Sequence, residues 1–363
     1  QRQMCIRDRG VACPCVFVHG KRDIVVTVHG DDFALLGSGA DLDWFENKIK
    51  EEFEVKVRGR LGPGEKDMKA IRILDRIIEW GHNGLWHEAD QRHAEIIVRE
   101  LGPTSASKVT PLGVRDTARA TQAFDQALKG DGASRFRSLT MRAAYLAQDR
   151  PDIQFAVKEL ARSMAAPDEL AWQALKRLGR YLVYRPRLVL TYAPQYGATF
   201  TDARADTDHA GCLKTRRSTN GGALMHGRHT IKSWATTQAT IALSSGEAEY
   251  YGVVKGASAL LGALSLCKDL GIPMKGRVHT DSSAAKGIAS RRGLGKTRHI
   301  DTQYLWVQER LQAGSFTLHK EATADNVGDL FTKHLDAAKS SDFTSRLGYS
   351  PQSGTSALTL RAA

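Results

Sequence analysis

The chain is poor in the features that mark several large classes of protein. Its 363 residues include five cysteines, Cys5, Cys13, Cys15, Cys212 and Cys267. The number is odd and the spacing is not that of a zinc finger, so neither a disulfide framework nor structural zinc is supported. No apolar run approaches the length of a membrane-spanning helix, and no stretch combines the charge, apolar core and cleavage site of a signal peptide. These absences point to a soluble, intracellular protein with no membrane partner. Acid is in deficit: 52 Lys and Arg face 40 Asp and Glu, a net charge of +12 with a pI near 9.5. That balance favours a polyanionic partner, nucleic acid first. What is present is an ordinary globular composition, 42% hydrophobic and 25% charged, enough for two or three domains.

The strongest periodic signal follows residues 241–251. Ser244 with Glu247 three residues later reads as a capping box, which accounts for one acid at the head of a helix. Beyond it Val253, Val254, Ala257, Leu260, Leu261 and Leu264 recur at helical steps until Gly271 and Pro273. Glu249 lies at the edge of that stripe, in line with Val253 and Leu260. It is either a solvated helix edge or a half-buried carboxylate in need of a cation. Three more acids sit at the ends of neighbouring elements: Asp206 and Asp281 after strand-like runs and Asp329 beside the last helix. Four carboxylates from four elements suggest a divalent-metal site.

Taken in order, residues 1–10 have no periodicity and read as an unstructured leader. The apolar runs 15–18 and 24–28 form a hairpin leading into His29-Gly-Asp-Asp32, where Asp31 and Asp32 make either an Asx-type turn or a metal-binding pair. A helix follows at 40–52, then strands at 70–79 and 84–88, and a helix from 90 to 101. Residues 103–133, rich in Ser, Thr, Gly and Ala, read as a linker. Helices at 134–148, 151–165 and 168–184 come next, the last bordered by Lys176, Arg177, Arg180, Arg185 and Arg187. From 188 the pattern becomes mixed α/β: strands at 188–192, 198–206, 221–226 and 229–234, the long helix, a strand at 276–281 and a short helix at 282–290. A basic loop at 291–296, a helix at 297–312, a strand at 315–320 and a helix at 325–335 complete it. Residues 338–363 are polar and small and read as a loose tail.

In this order the chain resembles the Pol polyprotein of copia-type retrotransposons, from the end of the reverse-transcriptase palm through the ribonuclease H domain. The resemblance rests on Asp206-Thr-Asp-His, Thr215-Arg-Arg-Ser-Thr, Ala242-Leu-Ser-Ser-Gly-Glu-Ala-Glu-Tyr, Thr280-Asp-Ser-Ser-Ala, Thr297-Arg-His-Ile-Asp and Asp329-Leu-Phe-Thr-Lys. Upstream, Arg150-Pro-Asp-Ile-Gln-Phe-Ala-Val and His29-Gly-Asp-Asp match the family's connecting segment and polymerase turn. It implies an α/β (α+β) protein: a partial palm at 11–102, a helical thumb or connection at 134–187, and an RNase H-like mixed sheet with flanking helices at 188–337. Asp206, Glu249, Asp281 and Asp329 would then be catalytic and hold two Mg²⁺, or Mn²⁺, with Asp202 and Asp208 as competitors for the place of Asp206. Asp31 and Asp32 would be a remnant polymerase metal site, short of the third acid and the nucleotide pocket. Arg216, Arg217, Lys286, Arg291, Arg292, Lys296 and Arg298 would touch phosphates of an RNA–DNA hybrid. His299 is a proton shuttle, a phosphate contact or a packing residue. The implied activity is cleavage of the RNA strand of such hybrids, in a cytoplasmic particle or the nucleus. The alternatives are a decayed remnant that binds nucleic acid without cutting, and a polymerase completed by an N-terminal portion on another chain.

Overall fold

The computed structural model describes residues 8–102, 126–356 and 358. Most of the expected leader and linker, residues 1–7 and 103–125, lies outside them. The first unit is an antiparallel meander, β1 (Asp8–Arg9), β2 (Val16–His19), β3 (Ile24–His29) and β4 (Asp32–Leu36), followed by α1 (Gly39–Glu52). The end of the expected leader is therefore a strand paired with β2. Ser38 caps α1 by accepting the Asp41 amide, and Phe45 and Ile49 close over Ile24 and Val26 in a small core.

A second sheet begins with β5 (Ala70–Ile73), β6 (Arg76–Gly81) and β7 (Gly84–Ala89). The single strand expected at 70–79 is a hairpin, because Leu74 and Asp75 turn the chain at φ 49° and 60°. Four helices form the middle of the molecule: α2 (Arg92–Leu101), α3 (Asp131–Leu146), α4 (Pro151–Ala161) and α5 (Glu169–Tyr184). Phe136, Ile153, Leu175 and Leu178 are fully enclosed between them. Arg150, also enclosed, grips Asp152 through two hydrogen bonds of 2.9 and 2.8 Å and donates to the Arg185 carbonyl at the end of α5. A buried charge of this kind is tolerated because its partner and the carbonyls satisfy it.

The strand after that point, β8 (Arg187–Tyr192), was expected to open the last domain. It pairs instead with β7 on one side and, on the other, with a strand from the far end of the chain. That far strand corrects the expectation of a loose tail over 338–363. Residues Ala337–Arg346 form a helix and Tyr349–Gln352 a strand, with Phe343, Leu347 and Tyr349 buried against Leu188, Leu190 and Phe331. Three apolar side chains in a polar stretch were enough to dock it.

The third sheet carries the long helix. β9 (Phe200–Thr207), β10 (Thr219–His226) and β11 (His229–Thr237) are antiparallel neighbours, and α6 (Ser245–Asp269) follows. Then come β12 (Lys275–Thr280), α7 (Ser283–Ser290), α8 (Trp306–Gln312) and β13 (Thr317–Lys320), with α9 and β14 being the docked segments just described. The strand order is β11-β10-β9-β12-β13, with β12 parallel to both β9 and β13. The helix expected at 297–312 starts late, with a 3₁₀ turn at Thr302–Tyr304, and the one expected at 325–335 consists of 3₁₀ turns at Thr323–Asp325 and Val327–Phe331. By length and composition α6 could cross a membrane, which corrects the statement that no run approaches that size. Its apolarity is used internally, since Tyr250, Val253, Ala257 and Leu260 are fully buried in the core formed with the sheet. The described residues are thus mixed α/β with three sheets.

Docking of the C-terminal segment predicts a large stability effect. Phe343→Ala should destabilise the chain by about 3–4 kcal/mol, as for other fully buried aromatics. Urea unfolding checks it, and a loss below about 1 kcal/mol would mean that α9 is not part of the cooperative core.

Candidate metal centre

Parallel pairing of β9 and β12 sets up the site. Lys275 lies opposite Phe200 and His279 opposite Arg204, and the same register continued past the strand ends places Asp281 beside Asp206. The long helix enters next to them. Ser244 accepts the Glu247 amide, and the Glu247 carboxylate returns to the Leu243 amide at 2.9 Å. The capping residue thus reaches one position further back than a standard capping box, and its other contacts are Tyr251 Oη at 2.9 Å and His299 Nε2 at 2.7 Å. With Glu247 fully engaged, Glu249, two residues on, is the helix acid that meets the strand ends. One carboxylate oxygen each from Asp206, Glu249 and Asp281 falls within 4.8 Å of the others.

Three carboxylates so close cannot all be charged cheaply. Burial raises Glu249 to about 9, helped by Asp206 and Asp281. Burial likewise raises Asp206 to about 7, with Asp329 and Asp281 adding to the effect and Lys333 opposing it. Glu249 Oε2 is buried without a hydrogen-bond partner. An all-oxygen donor set with an unpaired buried oxygen is what a hard divalent cation such as Mg²⁺ would satisfy. Among the described residues this is the group of three or more potential ligands that could hold a metal ion.

Asp329, the fourth acid, is brought near Asp206 but is held differently. Gly328 makes the approach possible: a Cβ there would lie 2.7 Å from Asp206 Cβ. The Asp329 carboxylate is taken on both sides, by Lys333 Nζ at 2.5 Å and Lys339 Nζ at 2.7 Å, and Lys333 also stands 3.8 Å from Asp206 Oδ2. Thr332 Oγ1 donates to that same Asp206 oxygen. Thr332 and Lys333 belong to the Asp329-Leu-Phe-Thr-Lys motif but were assigned no role by it, and Lys339 did not stand out in the sequence.

The competitors of Asp206 have other duties. Asp202 accepts from Arg277 at 2.6 and 2.8 Å and lies 2.7 Å from His279 Nε2; despite its burial, these partners hold its carboxyl far below the usual range. Asp208 accepts from the Thr219 amide and hydroxyl and closes the β9–β10 connection. Asp31 lies exposed in the tight turn between β3 and β4, and Asp32, also exposed, opens β4 and pairs with Arg58 at 3.0 Å. The basic residues divide. Arg216 and Arg217 are exposed on the loop after β9, Lys286 on α7 directly after Asp281, and Lys296 and Arg298 on the loop before α8. Arg292 is exposed but donates to Gln312 at 2.9 Å. Arg291 is turned inward, donating to Thr297 Oγ1 at 2.6 Å and to the Leu294 carbonyl, so it shapes the loop and is not displayed for phosphate. His299 ties this loop to the head of α6 through Glu247.

The raised carboxyls fix the sign of a pH effect. Both lie above their ordinary values of 3.8 and 4.5, so in the metal-free chain the stability they contribute is complete below those values and is lost as pH rises through about 7 and 9. Divalent-ion affinity should rise over the same interval, because the ligands must give up protons. Glu249→Gln should remove most of the decline, leaving the metal-free variant more stable than the parent at pH 8 by roughly 1–3 kcal/mol. Urea unfolding at pH 5 and pH 8 with a chelator tests this; equal stabilities at pH 8 would contradict it.

No family model matches the chain. Two transposon proteins of Arabidopsis thaliana, the retrovirus-related Pol polyproteins from transposons RE1 and RE2, are 30% and 29% identical to it over 216 residues, 59% of the chain and 15% of each relative. The retrovirus-related Pol polyprotein from transposon TNT 1-94 of Nicotiana tabacum is 25% identical over 332 residues, 88% of the chain and 24% of the relative. Among solved structures, a foamy viral protease-reverse transcriptase in complex with dsDNA matches 82% of the chain and 55% of its own length, at 9% identity and a TM-score of 0.47. The chain spans less than a quarter of the length of these transposon proteins, and within that span it is similar to the retrovirus-related Pol polyproteins of transposons.

Proposed function

We propose that this chain is a metal-dependent endonuclease that hydrolyses the RNA strand of RNA–DNA hybrids, acting inside the cell in a particle or in the nucleus. The observation that carries the reading is the convergence of Asp206, Glu249 and Asp281 around an unpaired buried oxygen. The similarity to retrovirus-related Pol polyproteins of transposons supports the reading. Bound at these carboxylates, Mg²⁺ would supply Lewis-acid activation of water and stabilisation of the leaving oxygen.

The chain's own residues supply the rest. Glu249, on a rigid helix, and Asp206 and Asp281, on adjacent strand ends, hold their oxygens in a fixed group, so little is spent on ordering them when the ion arrives. Arg216, Arg217, Lys286, Lys296 and Arg298, exposed on segments that flank the acids, give the phosphates of both strands a place to rest. Such contacts orient a duplex without reading its sequence, and a hybrid is then distinguished by its 2′-hydroxyls and shape. Glu247 keeps His299 at the edge of the same region.

Two measurements test this reading. A labelled RNA–DNA hybrid should be cut by the parent chain with Mg²⁺ and left whole with a chelator. Asp281→Asn should lower cleavage by more than about 100-fold, because even outer partners of metal ligands are worth 10–100-fold. Hybrid affinity at one fixed salt concentration should stay equal or tighten, since the exposed cations remain and one acid facing phosphate is gone. Hybrid binding without cleavage by either protein would favour the decayed, non-catalytic remnant. The exposed pair Asp31 and Asp32 leads to a second expectation: this chain alone gives no templated extension of a primer with Mg²⁺ and nucleotides, and a lengthened product would overturn it.

A further inference from the structure

The standard expectation for four such acids is two metal ions, with Asp329 serving the second. The arrangement around Asp329 argues otherwise. Its carboxylate is 1% exposed and each of its oxygens lies against an ammonium, Oδ1 in an ion pair with Lys333 at 2.5 Å that lacks hydrogen-bond geometry and Oδ2 in a hydrogen bond from Lys339 at 2.7 Å. Lys333 also faces Asp206, 3.8 Å from the oxygen that accepts the Thr332 hydroxyl. An ion bridging Asp206 and Asp329 would need their oxygens at about 2.0–2.1 Å, in the space that the Lys333 ammonium fills. It would also meet two like charges at short range.

We propose that Lys333 is a built-in cation that takes the place of the second metal ion, so that this chain binds a single divalent ion at Asp206, Glu249 and Asp281. The inference rests on the metal-site reading given above and deepens it. Lys333 follows the 3₁₀ turn Val327–Phe331 that carries Asp329, four residues after the acid, and its side chain is 40% exposed. It is therefore a positioning residue: it neutralises Asp329, shares Asp206 with the bound ion, and leaves one charge fewer to be supplied from solution. Lys339 reaches Asp329 from α9, the helix docked by the C-terminal segment. Its contact is with the other oxygen and does not extend to Asp206.

Titration calorimetry with Mn²⁺ on the full chain, without substrate, reads the ion count directly. The parent should bind one ion, Lys333→Met should bind two, and Lys339→Met should remain at one. Thermal unfolding of Lys333→Met should show a larger Mn²⁺-induced rise in Tm than the parent, because the ion replaces a lost partner of two buried acids. Two ions in the parent would overturn the proposal even if Lys333→Met did not fold, and so would one ion in a folded Lys333→Met. A parent that binds no ion would remove the metal-site reading and this inference together. One ion bound by a parent that cuts no hybrid would leave the role of Lys333 standing and refute the nuclease reading alone.

Discussion

Everything at the centre of this molecule depends on one pair of strands running in the same direction. Parallel strands need a crossover between them, and here the path from β9 to β12 runs through β10, β11 and the 25-residue helix α6. That crossover returns the chain with the ends of β9 and β12 side by side. Two acids placed just at those ends become neighbours by register, and the helix that made the crossover delivers a third. The site is thus a consequence of topology before it is a consequence of side chains. This agrees with the general tendency of open α/β sheets to place function beyond the carboxyl ends of their strands.

The cost of that convergence is electrostatic, and the surrounding sequence meets it in three ways. Glu247 is removed from the problem by the helix cap, where an amide, a tyrosine and a histidine satisfy it. Asp329 is neutralised by two lysines, one local and one from α9. Glu249 and Asp206 are raised to about 9 and 7 by burial and by the neighbouring carboxylates, and so hold protons in the metal-free chain. On the proposed reading a divalent ion would displace these protons, so the same crowding that costs stability without the ion would favour its binding.

What could be read in the sequence was local, and what escaped was the identity of partners across long separations. The different roles of Glu247 and Glu249 were legible because a capping box is a four-residue pattern and α6 has an unbroken apolar stripe. The sheet to which β8 belongs was not legible: Leu188, Val189 and Leu190 form an apolar run that suits either sheet, and only the pairing with β7 and β14 decides it. The C-terminal segment was misread because composition averaged over twenty-six residues hides the three side chains that matter. Phe343, Leu347 and Tyr349 recur at four- and two-residue steps, which is a helix turn running into a strand. Arg291 was counted as a displayed charge, although the glycines at 293 and 295, with φ of 69° and 54°, already signalled a loop tight enough to need an internal donor.

The docked C-terminal segment ties the two ends of the argument together. β14 and β8 extend the sheet begun by β5–β7, whereas α9 lies against the turn that carries Asp329 and sends Lys339 into its carboxylate. The residues after the last acid are therefore part of its environment. If α9 were loosened, Asp329 would lose one of two cations while remaining buried, and a buried carboxylate with half its compensation must take up a proton, move outward or find another cation. The same sheet connects through β8 to α5 and the Arg150–Asp152 pair, so strain at the C-terminal segment has a continuous packed path into the helical part of the chain. Stability of that sheet and charge balance in the acid site are on this account coupled through α9 and β14.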